Sequence, residues 1–80
     1  MIPLYGFLQG DSIGLLVLAE ESDTAGDLVE KLQSAARIRV KPEAKVKVIY
    51  QGVIIGSHTT VAQAQMGALD RFDVIKAEPR

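Results

Sequence analysis

An α+β fold, with the order β-β-α-β-β-β in a mixed sheet and one helix packed across it, is what the sequence predicts. Three observations carry the expectation. Two apolar runs flank a glycine turn at the N-terminus, a single amphipathic helical pattern follows, and three short apolar segments with turn signals fill the second half. One helix against one sheet is a two-layer arrangement, because each element hides its apolar side on the other.

Ile2–Leu8 and Ile13–Ala19 are the first two strands, joined by Gln9-Gly10-Asp11-Ser12, a polar turn whose glycine accepts positive φ. Thr24-Ala25-Gly26-Asp27 has the form of a helix N-cap with an acid at the third helical position. Ala25, Leu28, Val29, Leu32 and Ala35 or Ala36 then recur at helical spacing. Asp27 and Glu30 are expected in the first turn and Arg37 in the last, which suits the helix dipole. Pro42 closes the connection. Lys45–Tyr50 alternates as a strand, Gln51-Gly52 turns it, and Val53–Ile55 returns. Thr60–Met66 reads as a capped single turn or short helix and Arg71–Ala77 as the last strand, with Phe72 and Val74 on one face.

Eighty residues without cysteine form one domain, 1–80, with no disulfide or thiolate metal site. The content is 48% hydrophobic, yet only two Phe and two Tyr are present, so the chain offers no stacking platform for bases. No apolar run approaches the ~20 residues of a membrane span, and the first ten residues lack a signal peptide's basic region, so a cytoplasmic location is expected. The net charge of -1 hides a segregated distribution. Residues 1–30 are acidic, residues 31–47 basic, and Val48–Leu69 holds no charge apart from His58. That bare stretch is either core with a polar loop or a surface that faces another protein.

Catalytic readings find little support. His58 is the only histidine, its neighbour Ser57 lies in the same Gly-Ser-His-Thr-Thr loop, and neither has a placed acid or oxyanion donor. Asp70 and Asp73 bracket Arg71 and read as a turn residue and a strand residue. No Glu-x-x-His motif occurs. The lysines at 41, 45 and 47 with Arg37 and Arg39 read as a solvated or partner-facing edge, opposed as they are by the acidic first third. No catalytic, cofactor-binding or metal-binding residue is therefore assigned.

The stretch Val48-Ile49-Tyr50-Gln51-Gly52-Val53-Ile54-Ile55, with Thr60–Ala64, Phe72–Ile75 and the Ser22-Asp23-Thr24 helix entry, resembles the second half and helix start of ubiquitin. The resemblance implies a ubiquitin-like β-grasp fold and no particular activity. Ubiquitin and the sulfur carriers work through a terminal Gly-Gly, whereas this sequence ends Lys76-Ala77-Glu78-Pro79-Arg80, so conjugation is not expected.

Strand two does not alternate. Ile13, Leu15 and Val17 take one face and Leu16 and Leu18 the other, so large aliphatics remain outside whichever face meets the helix. Ile49 and Ile75 fall outward by the same count. Each such side chain left in water forgoes roughly 1.5–3 kcal/mol, so a partner surface is expected at Leu16, Leu18, Ile49, Val53, Ile54 and Ile75.

The whole chain also resembles the small γ (B) subunits of bacterial toluene-monooxygenase type multicomponent hydroxylases. The matching residues include Ile2-Pro3, Gly10-Asp11, Asp23-Thr24, Glu30-Lys31-Leu32, Arg39-Val40, Thr60–Ala64 and Asp70–Ile75. The resemblance implies a non-catalytic subunit that binds and stabilises a large subunit carrying the di-iron centre, with no cofactor in this chain. Neither nucleic acid nor membrane is then a partner, and the isolated chain has the means to self-associate through the same patch. The alternative is a free-standing ubiquitin-like interaction module not used for conjugation.

Overall fold

The computed structural model describes residues 1–77; Glu78–Arg80, which bear on the expectation about the tail, lie outside the described residues. In chain order the elements are β1 (Ile2–Leu8), β2 (Gly14–Ala19), α1 (Ala25–Ala36), β3 (Val46–Tyr50), β4 (Val53–Ile55), α2 (Val61–Ala64) and β5 (Arg71–Lys76). They make one five-stranded sheet in the order β2-β1-β5-β3-β4. β1 and β5 run parallel at its centre, and the other neighbours are antiparallel. This is the expected β-grasp arrangement.

Local chemistry explains the boundaries. Gly10 takes φ 97 in the hairpin turn, a conformation that glycine enters without a Cβ penalty. Thr24 caps α1 reciprocally: its hydroxyl accepts from the Asp27 amide at 3.1 Å, and the Asp27 carboxylate accepts from the Thr24 amide at 2.9 Å. Thr60 and Gln63 repeat the device at α2. α2 is then tied to the start of α1 by bonds from Ala25 N to Thr59 O and from Val61 N to Asp23 O, at 2.9 and 2.8 Å.

Several boundaries differ from the sequence expectation: β3 begins at Val46 and not Lys45, β5 ends at Lys76 and not Ala77, and α2 covers only Val61–Ala64. β2 begins at Gly14, leaving Ile13 in the turn. α1 ends at Ala36, so Arg37 is its C-cap and no basic residue lies within the last turn. Arg37 reaches the helix end all the same, because its Nη1 donates to the Ser34 carbonyl at 3.2 Å. Glu30 lies beyond the first turn, where Asp27 is the sole acid.

The core lies between α1 and one face of the sheet. Leu4, Phe72 and Val74 from the central strands meet Leu28 and Leu32 of α1, all fully buried, and Val61 closes one end. Gly6 lets the layers approach: a Cβ there would lie 2.8 Å from Phe72 Cζ and 3.0 Å from Leu32 Cδ1. Part of the charge-free stretch is explained here, since Val48, Tyr50, Val61 and Met66 are core residues.

Candidate partner-binding face

The strand residues that do not meet α1 form a second face that no element among the described residues covers. Registers arrange it in rows. Leu18 lies opposite Pro3; Leu16, Tyr5 and Arg71 form the next row; Gly14, Phe7, Asp73, Ile49 and Ile54 the next; Ile75 and Lys47 the last. Directly opposed residues share a face, so the rows follow from pairing alone.

A charged ridge divides the face into two apolar areas. Arg71 binds Asp73 in bidentate fashion, through Nε at 2.9 Å and Nη2 at 3.0 Å. Its guanidinium stacks on the Phe7 ring, 4.0 Å from the centroid. Phe7 in turn lies across Gly14, where a Cβ would come within 2.5 Å of the ring. Glycine at the edge thus makes room for the aromatic that carries the arginine. On one side of the ridge stand Leu16 and Leu18, 53% and 50% exposed, with Tyr5 beside them. On the other stand Ile49, Ile54 and Ile75, where Ile49 and Ile75 help line a cleft of about 560 Å³.

Of the six residues expected from sequence to contact a partner, the structure brings five onto this face and leaves one off it. Val53, the first residue of the edge strand β4, is the register partner of Tyr50, a core residue, so it belongs to the helix side even though it is exposed. The grouping of Val53 with Ile54 is therefore corrected: adjacent strand residues point to opposite faces. Sequence reasoning also missed two residues. Tyr5 lies between Leu16 and Arg71, and its alternation with buried Leu4 could have shown it. Leu69 is 57% exposed in the turn before β5, held beside Pro3 by its amide donating to the Pro3 carbonyl at 2.6 Å. It has φ 66, a conformation costly for a branched side chain, and no sequence signal marks it.

Away from the ridge, two polar clusters fasten turns. Tyr50 Oη donates to Asp70 Oδ2 at 2.5 Å, and the same oxygen accepts the Gly67 amide at 2.7 Å. The Tyr50 bond, followed by the Gly67 amide, lowers the Asp70 carboxyl below its ordinary range. The Asp70 bond, then burial and the carboxylate charge, push the Tyr50 phenol up to about 12. Asp70 is thus a turn clasp, while Asp73 faces outward with Arg71. Arg39 clasps Asp11 across the hairpin end at 2.8 Å and lowers its carboxyl. His58 is exposed in its loop. Among the described residues no group of three His, Cys, Asp or Glu side chains is placed to hold a metal ion, and no helix is long and apolar enough to cross a membrane.

Comparison with known proteins agrees with this architecture. The family model described as toluene-4-monooxygenase system protein B matches residues 1–75. No curated protein sequence matches the chain. Among solved structures, the fold is similar to a chain of the toluene 4-monooxygenase HD complex with the inhibitor 4-bromobenzoate. The TM-score is 0.85 at 19% identity, covering 94% of this chain and 96% of that one. It is also similar to a ubiquitin of Caldiarchaeum subterraneum, with TM-score 0.78 at 15% identity over 98% of this chain and 95% of that one. The fold is ubiquitin-like.

Proposed function

The chain belongs to the toluene-4-monooxygenase system protein B family, and from that premise we propose that it is a non-catalytic accessory subunit of a multicomponent monooxygenase. Its partner is the large hydroxylase subunit that carries the di-iron centre, which it binds and stabilises through the open face of the sheet. Leu16, Leu18, Ile49, Ile54 and Ile75 are the contact residues, joined by Tyr5. The location of the complex is the cytoplasm.

One observation carries the reading. A chain of 80 residues in a family of a monooxygenase system leaves Leu16, Leu18 and Ile54 at 53%, 50% and 58% exposure on one face of its sheet. A protein–protein site is the physical use of such a face, since contiguous apolar surface in water is otherwise a liability. The Arg71–Asp73 ridge crossing it supplies orientation, because a partner that buries the ion pair must satisfy its remaining donors and acceptors.

Co-expression with the large hydroxylase subunit encoded alongside tests the proposal. The wild-type chain co-purifies with that subunit, and Leu16→Asp with Ile49→Asp does not, while the variant keeps its secondary structure. Undiminished co-purification of a folded double variant would remove the face from the proposal. Absence of any wild-type complex would remove the function.

A further inference from the structure

β2 is an edge of the sheet, and its own sequence does nothing to protect that edge. Gly14–Ala19 contains no charged residue and no proline, whereas edge strands are ordinarily blunted by one of these, by a bulge or by a covering element. The direction of its backbone groups follows from β1. Tyr5 and Gln9 donate their amides to Asp70 O and Val74 O at 2.9 and 2.8 Å. Odd-numbered residues of β1 therefore face β5, and even-numbered ones face β2. Pro3–Leu18, Tyr5–Leu16 and Phe7–Gly14 are consequently the non-hydrogen-bonded pairs of the hairpin. The N–H and C=O groups of Gly14, Leu16 and Leu18 point out of the sheet.

Part of this row is already closed. Lys31 Nζ donates to the Leu18 carbonyl at 2.8 Å, while also bound to Asp23 at 2.8 Å. Among the described residues no such bond reaches the backbone of Leu16. What remains is a short row of alternating donors and acceptors with an exposed leucine on the outer face, and an extended strand is the chemistry that answers it.

We propose that an extended segment of the large hydroxylase subunit adds to β2 as a sixth strand, pairing with the backbone of Gly14 and Leu16 and placing an apolar side chain opposite Leu16 on the outer face. The inference rests on the accessory-subunit reading and gives its contact a geometry. A second copy of the chain answers the edge less well, for reasons of symmetry. Antiparallel self-pairing that opposes Leu16 to Leu16, or Leu16 to Leu18, needs the Leu18 carbonyl and must expel Lys31 from it. The register that spares Lys31 sets Leu16 against Gly14, a large aliphatic against a residue with no side chain, and cannot extend to Leu18, whose carbonyl would again be needed opposite Ser12. A strand of independent sequence meets neither constraint.

The test uses the purified large hydroxylase subunit encoded with this chain as probe. In the wild-type complex, exchange of the Leu16 amide slows by about 100-fold relative to the free chain, as an open amide becomes a ladder donor. Leu16→Pro removes that outward donor at a position where proline is tolerated, since the missing N–H faces solvent. Its affinity for the subunit falls by about 30-fold or more, the lost pairing and the ring acting together, whereas Leu16→Thr keeps the amide and loses less. Where Leu16→Pro fails to fold, exchange in the wild-type complex decides. A bound subunit that leaves the Leu16 amide exchanging at its free rate overturns the inference and spares the accessory-subunit reading. No binding by wild type overturns both. A wild-type dimer made monomeric by Leu16→Pro, with hydroxylase affinity unchanged, assigns the edge to a second copy and overturns the inference.

Discussion

The two faces of the sheet are built from the same five strands and differ in almost everything else. On the helix side Leu4, Val17, Val48, Phe72 and Val74 are sealed beneath α1, with no charge among the buried residues. On the other side Leu16, Leu18 and Ile54 stand in water around an arginine–aspartate pair that is half open to solvent. A sheet covered on one side ordinarily alternates apolar inward and polar outward. Here the inner face holds the fold, and the outer face carries apolar area that the fold does not use. Stability and association should therefore respond to different residues of the same strands.

Phe72→Ala gives the largest effect. The side chain is fully buried between Gly6 and Leu32, and its truncation should lower unfolding free energy by about 3–5 kcal/mol. For a domain of this size that approaches the whole stability. Urea denaturation followed by circular dichroism measures it; a loss below about 1 kcal/mol would mean that the inner face is not the source of stability. Leu16→Asp with Ile49→Asp is the counterpart on the other face. Both positions already meet solvent, so the denaturation midpoint should move little, within about 1 kcal/mol. Binding of the large hydroxylase subunit, read by titration calorimetry, should disappear. A double variant that unfolds as readily as Phe72→Ala would erase the distinction between the faces.

Alternation made most of this division legible from sequence. Val48, Tyr50, Phe72 and Val74 fall inward by a period of two, and the doubly apolar β2 announces a face with nothing over it. What the pattern could not supply was register and reach. Val53 lies one position from Ile54 in an apolar triplet, where composition is blind to which way each points; pairing with Tyr50 decides it. Leu69 owes its place to a left-handed turn fastened to Pro3, a contact across 66 positions that no local signal encodes. The ridge was hidden for a similar reason: Phe7 and Arg71 meet because β1 and β5 are parallel neighbours.

The Tyr50–Asp70 clasp lies at the boundary between the faces and titrates at both ends of the pH range. Asp70 has its carboxyl lowered in the folded chain, so its contribution is present above the ordinary carboxylate range and lost as pH falls through the folded value. Tyr50 is raised to about 12, so its contribution is complete below the ordinary phenol value near 10 and lost as pH rises through about 12. Stability should be flat between these limits. Tyr50→Phe should lower the thermal midpoint by about 4–8 °C at neutral pH and abolish the alkaline limb, while the Gly67 amide preserves part of the acid limb. A variant whose alkaline limb persisted would show that another group titrates there.

Leu69 yields the smallest change in stability and the finest division between the two faces. Its φ of 66 strains a branched side chain by about 1–2 kcal/mol, and the side chain is 57% exposed, so little burial offsets that strain. Glycine relieves it but raises the entropy of the unfolded chain by about 0.5–1 kcal/mol. Leu69→Gly should therefore stabilise the isolated domain by no more than about 1 kcal/mol, while hydroxylase affinity falls severalfold because an exposed aliphatic side chain beside Pro3 is gone. Opposite signs for folding and binding at one residue are what a strained contact site produces. A stabilised variant with unchanged affinity would instead end the binding face at Leu18 and Tyr5.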